Sequence, residues 1–506
     1  MNNLFLKMIN VIPLAFIAGC SSAQINSYPE DFNHIASSLY TYDDETHYRK
    51  CLDCEKTFEQ GKHSYWFSYD ENNNQTKRCD CGYKKITPLF DEDNDFYYYK
   101  LDDATLSIRN KNNTVSGTII IPSSFNGTTV STIAGKGFAS LNNVEEIILP
   151  ETITRIEGSA FFYSSYSNIN LPTALEYIES NAFSLSKLEV FNIPKSVKVI
   201  EPLSFYNGFN LKEINVDEEN NYLKSIDGVV YSKSGDQLLH FPTWKAQNET
   251  YSIVEGTQII GKYAFAKTYV DNIILPNSIK TIMPYAFGES KAQTIQLNQG
   301  LQNIEEYAFT VTDNLKQLVF PSSLNKINGA AFAYAGRSDF YINVNNNKNY
   351  RIKNSILYSK DYKVAITSFG AQNKEIIIED ETEYIYPYAF VGEYQAEKVS
   401  FGNKIRIIGM SAFSDLYAIE SIELPSSLVS LHSYVFSSCS NLKELKIQKG
   451  IVRISASTIA LNEQIDIIFE GTKEEWGKVI IELENGTSPF VRTIKCSDGD
   501  TICSIS

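Results

Sequence analysis

A phenylalanine ruler constrains this chain more than any other feature. Short motifs ending in Phe place that residue at 138, 161, 183 and 205, then at 265, 287, 309 and 332, then at 390, 413 and 436. Successive Phe positions differ by 22 or 23 residues inside each run, and the two gaps between runs are 60 and 58. The residue before Phe is Ala in most copies, as in Ser159-Ala160-Phe161 and Tyr285-Ala286-Phe287. A fixed period of this length marks stacked supersecondary units. A β-sandwich spaces its strands evenly but has no reason to keep such a period.

Each unit can be read in more detail. Ahead of the Phe motif lies apolar-x-x-apolar-x-apolar, as in Val144/Ile147/Leu149, Leu211/Ile214/Val216 and Ile419/Ile422/Leu424. Alternation along a strand turns the last two of each trio inward. Pro150, Pro172, Pro194, Pro276 and Pro425 follow these strands, and Pro ends ladder pairing because it lacks a donor. A second apolar pair, such as Ile153/Ile156 or Leu175/Ile178, marks a short return strand. The expected fold is therefore a repeat solenoid of mainly β coils with short turns or 3-10 pieces. One coil cannot bury its apolar rows alone; stacking joins them into a continuous core. Some coils depart from the pattern. Leu203-Ser204-Phe205 lacks the Ala, Leu297-Asn298 lacks the Pro, and Ser457 to Ile459 replaces the Ala-Phe motif.

The segment Leu149 to Phe161 carries Leu-Pro-x-x-x-x-x-Ile, and Leu424 to Phe436 carries the same pattern with Leu431 in place of Ile, Phe closing each segment. This unit resembles the repeat of the BspA-like leucine-rich-repeat surface proteins. The resemblance implies a solenoid over residues 101–503, with β-hairpin inserts near 217–250 and 338–375. It also implies a carboxyl-terminal cap over 464–503, around Phe469-Glu470-Gly471-Thr472 and Cys496-Ser497-Asp498-Gly499. Members of that family include adhesins for host matrix proteins such as fibronectin and fibrinogen, and others that join bacteria to one another.

The amino-terminal end sets the expected compartment. Residues 1–19 have a short positive start and an apolar run from Met8 to Ala18, the layout of a secretory signal peptide. Ile17-Ala18-Gly19-Cys20 resembles a bacterial lipobox, which implies diacylglyceryl attachment at Cys20 and a lipidated tether over 20–40. Residues 41–90 hold two close Cys pairs, Cys51/Cys54 and Cys79/Cys81. Four thiolates at such spacing suit a structural zinc ribbon, while export to an oxidising setting suits two disulfides. The Cys-x-Cys of the second pair departs from ribbon spacing, so His47 or His63 stands in reserve as a ligand. The acidic run Asp91 to Asp95 is expected to be a solvated linker over 91–100. Cys439 is expected to be a small buried residue, and Cys496 with Cys503 to be either paired or free.

Composition narrows the function. A net charge of −15 and a pI near 5.0 argue against nucleic acid, whose phosphates need clustered Lys and Arg. Of five His, His34, His47 and His63 precede the repeats. No nucleophile elbow, phosphate loop, dinucleotide fingerprint or His-Glu-x-x-His stretch occurs in the sequence. Glu145 and Glu146, adjacent on a strand, are expected on opposite faces and make poor acid–base partners. An enzyme is not expected. Binding is, on the outward strand face that includes Ile148, Asn192, Asn272, Ile274, Gln296, Val319, Glu423 and Lys446. Loops that interrupt a regular array often carry function, so the insert aromatics Tyr222, Tyr231, Trp244, Tyr251, Tyr341 and Tyr358 are the candidate ligand contacts. The expected partner is a protein of host matrix, host cell or neighbouring bacterium, with the membrane reached by the lipid anchor only. The competing expectation is a structural envelope component with no specific ligand.

Overall fold

The computed structural model describes residues 36–505 apart from 43–45, 52–56, 63–64, 80, 167, 336–339, 370–372, 461–464 and 484–489. The chain divides into two compact units, Met1–Lys233 and Ser234–Ser506. Both are built of β-solenoid coils. Among the described residues no helix is long and apolar enough to cross a membrane.

Each coil has three sides, and hydrogen bonds run from coil to coil along all three. On the first side, Asn143–Ile148 lies parallel between Ser116–Ile120 and Asn168–Asn170. The Pro corner follows: Ile153 donates its N–H to the Pro150 carbonyl at 3.2 Å, and Leu428 to Pro425 at 3.1 Å. On the second side the two-residue strands Arg155–Ile156, Tyr177–Ile178 and Val199–Ile200 pair in parallel. The third side is the Phe turn. There the N–H of Phe161 donates to the Ala182 carbonyl at 2.9 Å, and that of Phe287 to Ala308 at 2.8 Å.

The Phe turn depends on two left-handed residues, one two positions before Phe and one two positions after. Tyr285 (φ 57) and Glu289 (φ 56) bracket Phe287, and Tyr307 (φ 56) and Val311 (φ 53) bracket Phe309. Nearly all of these residues carry a side chain, although the conformation costs an L-residue ~1–2 kcal/mol. The cost is offset inside the turn. Ala286 and Ala308 are fully buried where coils crowd, and the Phe rings stack down the interior. Centroids lie 5.3 Å apart from Phe265 to Phe287 and again from Phe287 to Phe309.

The departures from the repeat keep the same contacts by other chemistry. Ser204, in place of Ala, is fully buried and donates to the Glu201 carbonyl at 2.6 Å. Asn298, in place of Pro, donates its amide to the carbonyls of Asn277 (3.2 Å) and Ile279 (3.0 Å) on the coil before. Asn220 makes the matching bonds to Pro194 and Val197, and Asn347 to Pro321 and Leu324. The coil without Ala-Phe turns through the short helix Ala456–Ile459, with the Thr458 hydroxyl on the His432 carbonyl at 2.6 Å.

Two expectations need correction. Residues 91–100 are not a solvated linker: Asp91–Glu92 pairs with Phe96–Lys100, which pairs with Leu106–Asn110. Tyr98 and Tyr99 are fully buried there, Tyr98 stacked on Phe125 at 4.0 Å. The acids serve the turn, since Asp93 accepts from Phe96 N–H at 2.7 Å and from the Tyr98 hydroxyl at 2.6 Å. Second, Glu145 and Glu146 are both exposed. The register slips between Gly117 opposite Val144 and Thr118 opposite Glu146, leaving Glu145 as the extra residue of a bulge. The two long intervals hold hairpins that are laddered into the array. In the second unit Tyr350–Lys353, Ile356–Ser359 and Val364–Ser368 pair in succession, and the last runs parallel to the return strand Tyr384–Ile385. In the first unit Leu223–Ile226 and Val229–Ser232 form a hairpin around Asp227 and Gly228, both left-handed as a two-residue turn requires.

Within the first unit the small sheet Trp66–Tyr69, Gln75–Arg78 and Lys84–Thr87 is seated on the first coils. Phe67 is buried over Gly135, where an added Cβ would lie 2.4 Å from its ring. The Tyr69 hydroxyl donates to the Gly135 carbonyl at 2.6 Å. Glu157, buried, accepts from Gly135 N–H at 2.8 Å and Gln75 Nε2 at 3.1 Å. Burial, with the neighbouring Glu179 adding to it, pushes the Glu157 carboxyl above its ordinary range.

Candidate binding surface

The six insert aromatics separate into two groups. Tyr231 and Tyr358 are fully buried, and Tyr251 is buried against Phe241 with centroids 4.7 Å apart. These three fill the core and are not ligand contacts as they stand. Burial raises the Tyr358 phenol well above its ordinary value, and its oxygen accepts the Glu379 N–H at 3.4 Å. Trp244 is half-buried and stacks on Tyr269 at 4.4 Å. Tyr222 and Tyr341 remain open to solvent, 50% and 52% exposed. Tyr222 and Tyr231 belong to the first unit, the other four to the second.

Of the expected thiol group, Cys79 and Cys81 are buried together with Tyr83, and Tyr65 packs on them. The Cys79 N–H donates to the Tyr83 carbonyl at 2.9 Å, and Gly82 N–H to the Cys79 carbonyl at 3.0 Å, so both thiols sit on one tight turn. Cys51 ends the strand Thr46–Cys51. Cys20, Cys54 and His63 lie outside the described residues. Among the described residues no group of three or more His, Cys, Asp or Glu is arranged to hold a metal ion. Cys439 is buried with its thiol on the Phe413 carbonyl at 3.2 Å, and burial pushes it up to about 12, far from a reactive thiolate. In the terminal hairpin Cys503 stands opposite Arg492 and Cys496 opposite Gly499, so the two are not bridged.

What the fold does present is the outward face of the long strands, held in register by the coil ladder. In the second unit Thr250, Asn272 and Thr294 form one row, and Ser252, Ile274 and Gln296 the next. Gln317 and Val319 then stand opposite Tyr341 and Asn343. Two outward positions on each of five strands, ten in all, carry no charge. A protein surface ordinarily carries about three charges in ten positions. On the next five strands six of the ten outward residues are charged, among them Glu375, Lys398, Glu423 and Lys446. Lys398 pairs with Glu375 at 2.6 Å and Lys495 with Asp466 at 2.7 Å. The strand face thus changes from neutral to charged beyond Asn343.

Exposed apolar groups interrupt the neutral half: Ile274 at 36%, Val319 at 46% and the Tyr341 ring. The polar side chains there are tied to one another. Thr294 Oγ1 donates to Asn272 Oδ1 at 2.6 Å, and the Tyr341 hydroxyl donates to Gln317 Oε1. Thr250, Thr294, Gln317 and Asn343 had a signal in the sequence, because each lies one step from an inward residue of an alternating strand. Only the coil-to-coil register shows that they form rows.

A family model described as BspA type leucine rich repeat region matches the chain in six copies, over residues 112–233, 244–363 and 367–480. Similar solved structures include a leucine rich cell surface protein from Faecalibacterium prausnitzii, 15% identical over 78% of this chain and 98% of that one, with a TM-score of 0.38. Another is the pneumococcal vaccine antigen PcpA, 17% identical over 84% of this chain and 100% of that one, at 0.34. A leucine-rich repeat protein from Bacteroides ovatus is 17% identical over 78% and 99%, at 0.31. No curated protein sequence matches.

Proposed function

The chain belongs to the BspA-type leucine-rich-repeat family, and on that footing we propose that it is a lipid-anchored cell-surface protein that binds a protein ligand. Cys20 carries the anchor, and the solenoid stands outside the membrane. The observation that carries the reading is the laddered strand face: outward side chains held on paired strands lose little freedom on binding, which is what preorganised recognition requires. Exposed Tyr222 and Tyr341 supply the aromatic contacts that interfaces favour. The chain works by binding and not by catalysis. The Cys pairs over 41–90 hold that module together through zinc or disulfides.

The test is saturation binding of the purified chain to immobilised fibronectin, fibrinogen and whole host cells across a salt series. Saturable binding to one of them supports adhesion. Flat curves for all of them refute adhesion to these targets and leave a spacer of the envelope as the better account.

A further inference from the structure

We propose that the neutral half of the second unit's strand face, from Thr250 to Asn343, binds an extended uncharged polysaccharide laid across the strands. This assigns Tyr341 and the neutral rows to a glycan, leaves the protein ligand to Tyr222 and the other strands, and does not depend on that reading.

The argument begins with what the face lacks. In a chain of net charge −15, ten outward positions without a single charge form a region where a neutral ligand meets no repulsion and leaves no ion unpaired. An anionic glycan finds no cation at these ten positions and is repelled by the chain as a whole. A charged protein surface pressed against this face would bury its own ions without partners, a cost that selects against it.

What the face offers points the same way. Seven of the ten outward side chains are amides or hydroxyls, and three are Ile274, Val319 and Tyr341. Cores of protein interfaces are instead rich in aromatics, Met and Arg. The internal hydrogen bonds aim these groups. Asn272 Oδ1 is occupied by Thr294 and Gln317 Oε1 by Tyr341, so the amide N–H groups of Asn272 and Gln317 are left to donate to ligand oxygens. Sugar hydroxyls and ring oxygens accept such bonds, and the C–H face of a pyranose packs on an exposed ring such as Tyr341. Strands repeat every ~4.8 Å, a step comparable with one sugar in an extended chain, so successive sugars can meet successive rows. The apolar side chains, Ile274 on the second strand and Val319 with Tyr341 on the last two, keep the strip from being merely solvated polar surface.

Affinity electrophoresis tests this with the full purified chain in gels containing a β-glucan, a mannan, a galactan or dextran, with alginate as the anionic control. Retardation is expected with at least one neutral polysaccharide, unchanged when salt is raised about tenfold. Tyr341→Ala and Thr294→Glu should each weaken it by about tenfold or more, while Lys398→Ala on the charged half should leave it intact. Unchanged thermal midpoints of the variants show that the fold survives. The proposal is overturned if no neutral polysaccharide retards the chain, if alginate alone does, or if Tyr341→Ala and Thr294→Glu bind as the parent. Saturable binding to fibronectin or fibrinogen that Thr294→Glu abolishes, with every glycan inert, would give this face to a protein and overturn the glycan assignment. Flat protein binding with glycan retardation would refute the protein ligand alone.

Discussion

Phe287→Ala tests the central claim that the Phe column holds the second unit's coils together. Phe287 is fully buried, with Phe265 and Phe309 each 5.3 Å away by ring centroid. Burial of one Phe contributes ~1.5–3 kcal/mol, and each aromatic contact adds ~0.5–1.5 kcal/mol. Truncation to Ala should therefore cost ~3–5 kcal/mol, the usual range for such a core change. In a solenoid that loss falls on one coil and its two interfaces. Hydrogen exchange should therefore show lost protection centred on residues 263–311, with urea unfolding giving the overall cost. Phe287→Leu, which keeps most of the apolar area but ends both stacks, should cost ~1–2 kcal/mol. A cost below ~1 kcal/mol for Phe287→Ala, or protection lost evenly along the unit, would refute the column as the source of coil cohesion.

Five further outcomes can be measured. Val311→Gly should stabilise by up to ~1 kcal/mol, because a β-branched residue at φ 53 is strained and Gly's entropy cost is smaller; Gly392→Ala should destabilise by ~1–3 kcal/mol, since its Cβ would lie 2.6 Å from the Tyr334 ring. Thermal midpoints check both. Asn298→Ala strips the Asn277 and Ile279 carbonyls of their donor and should cost ~1–3 kcal/mol by urea titration. Glu393 is raised to about 7, chiefly by burial and against a hydrogen bond with Ser368. Its folded form therefore holds the proton more tightly than the unfolded form does. That stabilisation is full below about pH 4 and is lost as pH rises through about 7, on the order of 3 kcal/mol. Glu393→Gln should flatten the profile, read as urea midpoints at pH 5 and pH 8, and an unchanged slope would refute it. Zinc at the Cys module predicts one equivalent by metal analysis, lost in Cys81→Ser; disulfides predict no metal and four fewer titratable thiols.

The period was legible because a solenoid writes its contacts along the chain at a constant interval, and Phe, Ala and Pro each have one physical job per coil. The period does not report which partner stands 19 to 26 residues away. Asn298 read as a missing Pro until its amide was found on two carbonyls of the previous coil, a role Asn220 and Asn347 share. Tyrosine misled for a related reason. Its ring packs as well inside as outside and its hydroxyl needs only one partner. Nothing local therefore separates buried Tyr231 and Tyr358 from exposed Tyr222 and Tyr341. The acidic run before the repeats misled because Asp93 closes a turn with the same oxygens that would solvate a linker. Chemistry of residue type thus located the strand face, while pairing between coils decided what that face presents. Exchanging Thr294 for Glu leaves the period and the core untouched and alters the row shared with Asn272, which is why that one substitution separates a surface built to bind from one that merely coats the coils.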